Sequence, residues 1–215
     1  MARRQPRSAN EFWNATEPAW RACLLLAWES FQAGSIPVGA VVVDGTGTIV
    51  ARGRNRRNER QAPRGQLSGG NLAHAEINAL AALPPGEYGE HVLYSSLEPC
   101  FLCTAALRYS HLGSVRYAAA DPMWYGIDGL PSLNDHIARR WPRRDGPVAG
   151  PLGDVAAVLH VISAVERGVE AVVECYATAM PDVCRLAVEL AGPTADELRR
   201  LPLTAALDEL WPRLP

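Results

Sequence analysis

Two short motifs constrain this chain more than any other feature: H-A-E at positions 74–76 and P-C-F-L-C at positions 99–103. They supply one His and two Cys, which suit a zinc ion, and a carboxylate, Glu76, that follows the His closely. Three protein ligands leave a tetrahedral zinc ion with one open position for water. The motifs therefore predict a Zn2+ site held by His74, Cys100 and Cys103 that is catalytic rather than structural.

The two motifs differ in specificity. In a chain of this length H-x-E arises by chance in roughly one sequence in three, whereas P-C-x-x-C arises in roughly a few per thousand. Their order and separation match the known signature of zinc nucleobase deaminases. About residues 17–130 of the chain therefore resemble the cytidine and deoxycytidylate deaminase superfamily, especially its branch of tRNA adenosine deaminases, guanine deaminases and yeast-type cytosine deaminase.

The resemblance implies roles for individual residues. Glu76 would be the catalytic proton shuttle, although a Glu in a first helical turn is also favoured by the helix dipole alone. Asn55 and the backbone N–H of Ala75 would bind the substrate; an isolated Asn can equally be a turn residue. Asp128 falls near the place where guanine deaminases keep an acidic residue that reads the base, although the spacing is not the same.

Strand and helix patterns alternate as far as residue 119. We expect strands at 38–44, 49–55, 92–97 and 115–119, the first two forming a hairpin, and helices at 16–34, 73–83 and 100–109. This alternation predicts an α/β protein whose sheet is covered on both faces. The resemblance implies a three-layer α/β/α sandwich around a central mixed five-stranded sheet.

The remainder of the chain predicts a C-terminal helical extension. We expect a catalytic domain at 1–141, a linker or surface crossover rich in Pro, Gly and Arg at 142–153, and the extension at 154–215. Apolar residues at helical spacing predict one long amphipathic helix from Val155 through Tyr176, ended by Pro181. A second helix follows at 182–191, and Thr194 with Glu197 predicts a capping box for a third segment. The apolar faces must pack on the catalytic domain, on each other or on a second subunit.

Charge gives limited information about partners. The net charge of −2 offers no overall attraction to nucleic acid or to an anionic membrane, and we expect no membrane partner. All 21 basic residues are Arg. Several lie in or just before the loop predicted at 56–72, against the single acid Glu59: Arg52, Arg54, Arg56, Arg57, Arg60 and Arg64. This Arg-rich loop either holds a phosphate or polynucleotide backbone or is simply solvated.

Cysteine usage indicates the compartment. Five Cys is an odd number, and two of them have metal-ligand spacing, which is typical of a reducing compartment rather than of a disulfide framework. Residues 1–10 contain three Arg and no sustained apolar run, so we expect no signal peptide. We therefore expect a cytoplasmic enzyme, and we expect it to form a homodimer.

The sequence is consistent with three functions. The first is a zinc-dependent hydrolytic deaminase of an amino-substituted nucleobase, nucleoside or related small heterocycle. The alternative is a deaminase of adenosine or cytidine in tRNA or single-stranded nucleic acid, which the Arg-rich loop favours and the acidic net charge disfavours. The third is a zinc-stabilised interaction module without catalysis, which would need a fourth protein ligand that the motifs do not offer.

Overall fold

Residues 6–215 are described in the computed structural model; the first five residues, which belong to the stretch examined for a signal peptide, lie outside it. The described chain forms α-helices and β-strands in the following order: α1 (Ala9–Ala15), α2 (Pro18–Gln32), β1 (Gly39–Val43), β2 (Ile49–Arg54), α3 (Ala75–Ala81), β3 (Val92–Leu97), α4 (Phe101–Tyr109), β4 (Ser114–Ala119), α5 (Asp135–Ala138), β5 (Arg143–Asp145), α6 (Pro151–Glu166), α7 (Glu170–Ala179), α8 (Pro181–Leu190), α9 (Pro193–Arg199) and α10 (Leu203–Leu210). The stretch 56–72 contains no helix or strand, as its Gly and Pro content predicts.

The five strands form one mixed sheet in the order β2-β1-β3-β4-β5. β1 pairs antiparallel with β2, which confirms the hairpin, and antiparallel with β3. β4 pairs parallel with β3 and with β5. All five residues of β1 are buried, because this apolar strand has a neighbour on each side and helices on each face. The mixed five-stranded sheet is therefore confirmed.

Two glycines place helices on opposite faces of the sheet. A Cβ at Gly39 would overlap backbone atoms of α2, whereas a Cβ at Gly53 would overlap the backbone of α3 at Ala75 and Ala79. Gly53 pairs with Ala40, the neighbour of Gly39 in β1, so the two glycines point to opposite faces. The absence of side chains lets α2 and α3 approach the sheet closely, and the α/β/α layering follows.

The C-terminal helices share the core of the sheet. Residues 152–164 of α6 are buried except Asp154, and most of the apolar ones belong to the same apolar cluster as the strands. The indole N–H of Trp28 in α2 donates to the carbonyl of Leu201 at 3.1 Å, which ties the extension to the first sheet-packing helix. The expected linker at 142–153 contains β5 and the start of α6, so it extends the sheet as well as connecting two regions.

The long helix expected from Val155 through Tyr176 is wrong. It is divided into α6 and α7 at Gly168, whose φ of 65° lies in the left-handed region that glycine adopts at low cost. The capping box is also wrong, since α9 begins after Gly192 without a side-chain cap and ends before Pro202. Among residues 6–215, the helices are too short or too polar to cross a membrane.

Candidate metal and substrate site

The predicted zinc ligands lie at the amino ends of two helices that follow strands or loops. His74 is the N-cap residue of α3, and Cys100 is the N-cap residue of α4. Cys103 lies in the first turn of α4 and is fully buried. The unpaired N–H groups and the dipole of a helix amino end stabilise thiolates, so the amino end of α4 favours a thiolate at its N-cap residue, Cys100.

The donor atoms have the spacing that a tetrahedral zinc ion requires. The Nδ1 atom of His74 lies 3.7 Å from the sulfur of Cys100 and 3.4 Å from that of Cys103. Ordinary Zn–S and Zn–N bond lengths at tetrahedral angles predict an S···N separation of about 3.5 Å. Among the described residues these three form the cluster of His, Cys and acidic side chains able to hold a metal, with their donor atoms within 4.8 Å of one another. The donor set fits zinc, and its three ligands fit a catalytic site.

Protonation of the three donors is coupled. A hydrogen bond from the Cys103 thiol and contact with His74 lower the pKa of Cys100 to about 4, although burial opposes this. The same hydrogen bond, together with burial, keeps the pKa of Cys103 well above its ordinary value. The hydrogen bond with Cys100 raises the pKa of His74. Without metal, the protein therefore holds a thiolate beside a thiol and an imidazole that favours its proton.

Glu76 lies in the first turn of α3, beside the donors. It is only 4% exposed, and its Oε1 accepts a hydrogen bond from the hydroxyl of Ser95 at 3.1 Å. Its Oε2 lies 3.4 Å from the sulfur of Cys103. Burial, and then the negative charge of Cys100, raise the pKa of this carboxyl. A carboxyl group whose pKa is raised in this way is better suited to accept and release a proton during a reaction than an exposed one.

A cleft of about 320 Å³ opens onto the metal-ligand cluster. Asn55, which is 2% exposed, lines this cleft. Its Oδ1 accepts from the backbone N–H of Arg57 at 3.0 Å, which leaves the side-chain NH2 for a ligand. Ala75 is the first residue of α3, where a backbone N–H has no partner within the helix.

Asp128, expected beside the substrate, lies outside the cleft. Its carboxylate pairs with the guanidinium of Arg144 at 2.7 Å, because the segment after β4 turns it toward that side chain. Besides Glu76, the acids that line the cleft are Glu98, which also pairs with Arg144, and Asp121. Asp121 is buried and accepts from the backbone N–H of Met123; burial raises its pKa to about 6.

The C-terminal helices supply part of the cleft wall, through residues that the sequence analysis did not assign to the site. His160 of α6, Arg167 at its end, and Val169 and Val172 nearby all line the cleft. Burial lowers the pKa of His160 to about 4, so the ring is neutral, and its buried Nδ1 has no hydrogen-bond partner among the described residues. No local motif signals these residues, because only the tertiary fold brings α6 to the metal-ligand cluster.

Residues 14–119 match the family model described as the cytidine and deoxycytidylate deaminase zinc-binding region. That match contains the His74, Cys100 and Cys103 cluster and ends at the last residue of β4. The five helices α6–α10 lie beyond it.

Several curated proteins are similar to parts of this chain. A stretch of 144 residues, 65% of the chain, is 33% identical to a tRNA(Ile)-lysidine synthase of Deinococcus radiodurans and covers 23% of that protein. A stretch of 108 residues, 48% of the chain, is 32% identical to a tRNA-specific adenosine deaminase of Streptococcus pyogenes and covers 58% of it. A stretch of 84 residues, 38% of the chain, is 29% identical to a cytosine deaminase of Candida albicans and covers 51% of it. The chain thus spans less than two thirds of the length of each of these relatives.

A solved structure supports the fold. The structure of a guanine deaminase from Nitrosomonas europaea superposes with a TM-score of 0.50 at 22% sequence identity, covering 75% of this chain and 88% of that one. At this level of identity the likeness concerns the fold alone.

Proposed function

Residues 14–119 match the cytidine and deoxycytidylate deaminase zinc-binding region, and we propose from this match that the chain is a zinc-dependent hydrolytic deaminase. Its substrate is an amino-substituted nucleobase, nucleoside or related small heterocycle. One observation carries the proposal: the buried carboxyl of Glu76 lies beside a three-donor metal cluster at the base of an open cleft. A bound zinc ion would make a hydroxide nucleophile available near neutral pH, since it lowers the pKa of a bound water to about 7.

Glu76 moves the protons of the reaction. Its carboxylate takes a proton from the attacking water and delivers it to the ring nitrogen next to the amino-bearing carbon. Attack by the water oxygen forms the C–O bond. Glu76 then takes the second proton from the new hydroxyl group and delivers it to the amino group, so that the C–N bond breaks, the hydroxyl becomes a carbonyl and ammonia leaves. The hydroxyl of Ser95 holds Oε1 in place and leaves the opposite oxygen nearer the sulfurs.

Asn55 and Ala75 orient the heterocycle. The side-chain NH2 of Asn55 donates to the ring or to a sugar oxygen, while the N–H of Ala75 donates to a carbonyl or ring nitrogen of the substrate. Both groups are fixed, because the Oδ1 of Asn55 is held by the N–H of Arg57 and Ala75 begins α3. Because these donors are already fixed, they position the substrate without a further loss of conformational entropy during the reaction.

The alternative substrate is a tRNA or single-stranded nucleic acid. The relative in Streptococcus pyogenes named as a tRNA-specific adenosine deaminase favours it. The proposal of a small-molecule substrate is based on the cleft. One wall of this cleft is formed by α6 and the start of α7. Two arginines of the Arg-rich loop, Arg54 and Arg56, are paired with Glu59 and so are not free to contact a phosphate backbone.

The test is an ammonia-release panel on zinc-loaded protein. Free bases, nucleosides, nucleotides, aminated triazines and pterins are compared with tRNA and single-stranded DNA. We expect turnover of at least one small heterocycle, and Asn55→Ala should raise KM for it. Activity confined to the polynucleotides would overturn the choice of substrate, and no ammonia from any member would overturn the function.

We also propose a cytoplasmic homodimer. Phe101 and Tyr109 on the outer face of α4 are 57% and 75% exposed and border an apolar groove, which is typical of an association surface. All five cysteines are free, as a reducing compartment favours. Light scattering should give twice the chain mass, and the double variant Phe101→Ser, Tyr109→Ser should be monomeric while the control Val188→Ser, at an exposed residue of α8, stays dimeric. A monomeric wild type at every concentration would contradict the dimer.

A further inference from the structure

Two guanidinium groups line the proposed substrate cleft from different parts of the chain. Arg57 comes from the Arg-rich loop just after Asn55, and Arg167 comes from the end of α6, outside the region that matches the family model. Both side chains are partly buried. The family region and the C-terminal extension therefore each contribute one cation to the same cavity.

Neither arginine has an acidic partner. The ion pairs among residues 6–215 involve seven other arginines, and none involves Arg57 or Arg167. The first five residues contain no acid that could pair with them. The Nε of Arg167 donates to the carbonyl of Ser163 at 3.1 Å, which fixes the side chain and leaves its two terminal nitrogens as donors. By contrast Arg144, which contacts Glu98 of the cleft, forms ion pairs with Glu98 and Asp128.

The two cations act on each other. Burial, and then the positive charge of Arg57, lower the pKa of Arg167, and the charge of Arg57 also opposes protonation of His74. Two like charges in a partly buried cleft destabilise the protein unless an anion lies between them. A planar guanidinium with free terminal nitrogens matches the oxygens of a phosphate or carboxylate.

A third polar group that lines the cleft lacks a partner. His160 is more than nine-tenths buried, its neutral ring lines the cleft, and its Nδ1 makes no hydrogen bond among the described residues. Buried polar atoms without partners are rare in folded proteins and commonly mark a site completed by a ligand. The orphaned imidazole thus points to a ligand independently of the two arginines.

We infer that Arg57 and Arg167, with His160 beside them, form a subsite for an anionic oxygen group carried by the heterocyclic substrate, either a phosphate monoester or a carboxylate. The apolar residues and Asn55 hold the ring near the metal-ligand cluster, and the two arginines hold the anion within the same cleft. This inference rests on the proposed function for the reaction, but the binding of an anion is independent of it.

The first test compares matched substrates that differ only in the anion. kcat/KM for ammonia release is measured for nucleosides and their 5′-monophosphates, and for amino-heterocycles with and without a carboxylate. We expect one anionic series to be preferred, and we expect the anionic-to-neutral ratio to fall about tenfold to a hundredfold in Arg57→Gln and in Arg167→Gln, the usual effect of losing a charge-assisted hydrogen bond. Arg64→Gln and Arg200→Gln remove the same charge from exposed positions and should leave the ratio unchanged.

The second test measures binding without chemistry. Equilibrium dialysis of inorganic phosphate against the zinc-loaded chain should detect binding to the wild type that is lost in Arg57→Gln and Arg167→Gln and retained in the two controls. Arg167→Lys keeps the positive charge but lacks the planar N–H donors of a guanidinium group. This variant should therefore bind phosphate with intermediate affinity. Circular dichroism of each variant separates lost binding from lost folding.

The outcomes distinguish this inference from the proposed function. One outcome is phosphate binding that depends on both arginines while no compound releases ammonia. This result would support the anion subsite and contradict the proposed deaminase function. Deamination with equal kcat/KM for neutral and anionic members, and no phosphate binding, would overturn the subsite and leave the deaminase intact. Deamination of tRNA alone, with steep salt dependence, would also overturn it, because the arginines would then contact a polynucleotide backbone.

Discussion

At the scale of single residues, the proposed role of Glu76 in proton transfer depends on the burial of its side chain as much as on its position in the sequence. Its place two residues after His74 brings it beside the metal donors, but its enclosed position raises its pKa toward the range in which a carboxyl group transfers protons efficiently. The hydroxyl of Ser95 then fixes one oxygen. An exposed glutamate at the same helical position would remain ionised and mobile.

Replacing the Glu76 carboxyl by an amide should separate metal binding from chemistry. Glu76→Gln keeps the size and the hydrogen bond with Ser95, so zinc content and melting temperature should stay close to the wild type. Turnover should fall about a hundredfold to ten-thousandfold, the range for losing a general acid–base group. Steady-state ammonia release checks this, with the exposed Glu90→Gln as control. Wild-type turnover in Glu76→Gln would assign proton transfer to another residue.

The three donors predict a definite pH dependence of zinc affinity. The raised pKa values of Cys103 and His74 mean that zinc must displace their protons, whereas Cys100, with a pKa of about 4, is already a thiolate near neutral pH. Zinc affinity should therefore rise with pH, with about one to two protons released per ion near pH 7. Calorimetry in buffers of different ionisation enthalpy measures the released protons. An affinity that does not change between about pH 6 and pH 8 would contradict this protonation pattern.

At the scale of elements, the site depends on how closely α3 approaches the sheet. The amino end of α3 carries His74 and Glu76, and its backbone lies directly on Gly53 of β2. The donors from α4 are fixed separately, since Cys100 follows β3 after a short connection. A small shift of α3 would therefore change the distance between His74 and the two sulfurs.

Gly53→Ala should destabilise the fold and weaken zinc binding together. The added methyl overlaps the backbone at Ala75 and Ala79, and overpacking of this kind costs about 1–3 kcal/mol. Gly45→Ala is the matched control in the same hairpin, because its Cβ would lie 3.7 Å from the nearest atom. Chemical denaturation and zinc titration measure both effects. Equal stability of the two variants would show that α3 can move away from β2 at little cost.

Sequence reasoning identified the elements around the metal site more reliably than those beyond it. Cys100 and Cys103 lie within a motif whose local spacing fixes their common face, so the position of α4 followed directly. β5 was missed because three charged residues carry no strand pattern, and Gly168 was missed because a single glycine does not always end an apolar helix. His160 and Arg167 reach the cleft through long-range packing of α6, which no local pattern encodes.

At the scale of the whole molecule, the C-terminal helices and the sheet form one core. α6 is buried between the sheet and α8, and the hydroxyl of Tyr176 in α7 donates to the carbonyl of Ala120 at 3.1 Å, next to Asp121 on the cleft. The helices beyond the family region thus support the cleft as well as lining it. Their folding and that of the metal site should be coupled.

A cavity in α6 should therefore destabilise the entire chain. Leu159 is fully buried, and Leu159→Ala should cost about 2–5 kcal/mol in a single transition followed alike by tryptophan fluorescence and by zinc release. Val188→Ala, at a residue that is 51% exposed, should change stability by less than about 0.5 kcal/mol. Zinc release at a denaturant concentration unaffected by Leu159→Ala would indicate that the extension folds separately.

The most direct test of the central claim is ammonia release measured as zinc is returned to metal-free protein. The fastest substrate of the panel is used, and bound zinc is quantified by elemental analysis at each point. Activity should rise linearly and level off at one zinc ion per chain, and Cys103→Ala should neither retain that ion nor gain activity. Full activity in the metal-free protein, or a rise that is the same in Cys103→Ala, would contradict a deaminase centred on His74, Cys100 and Cys103.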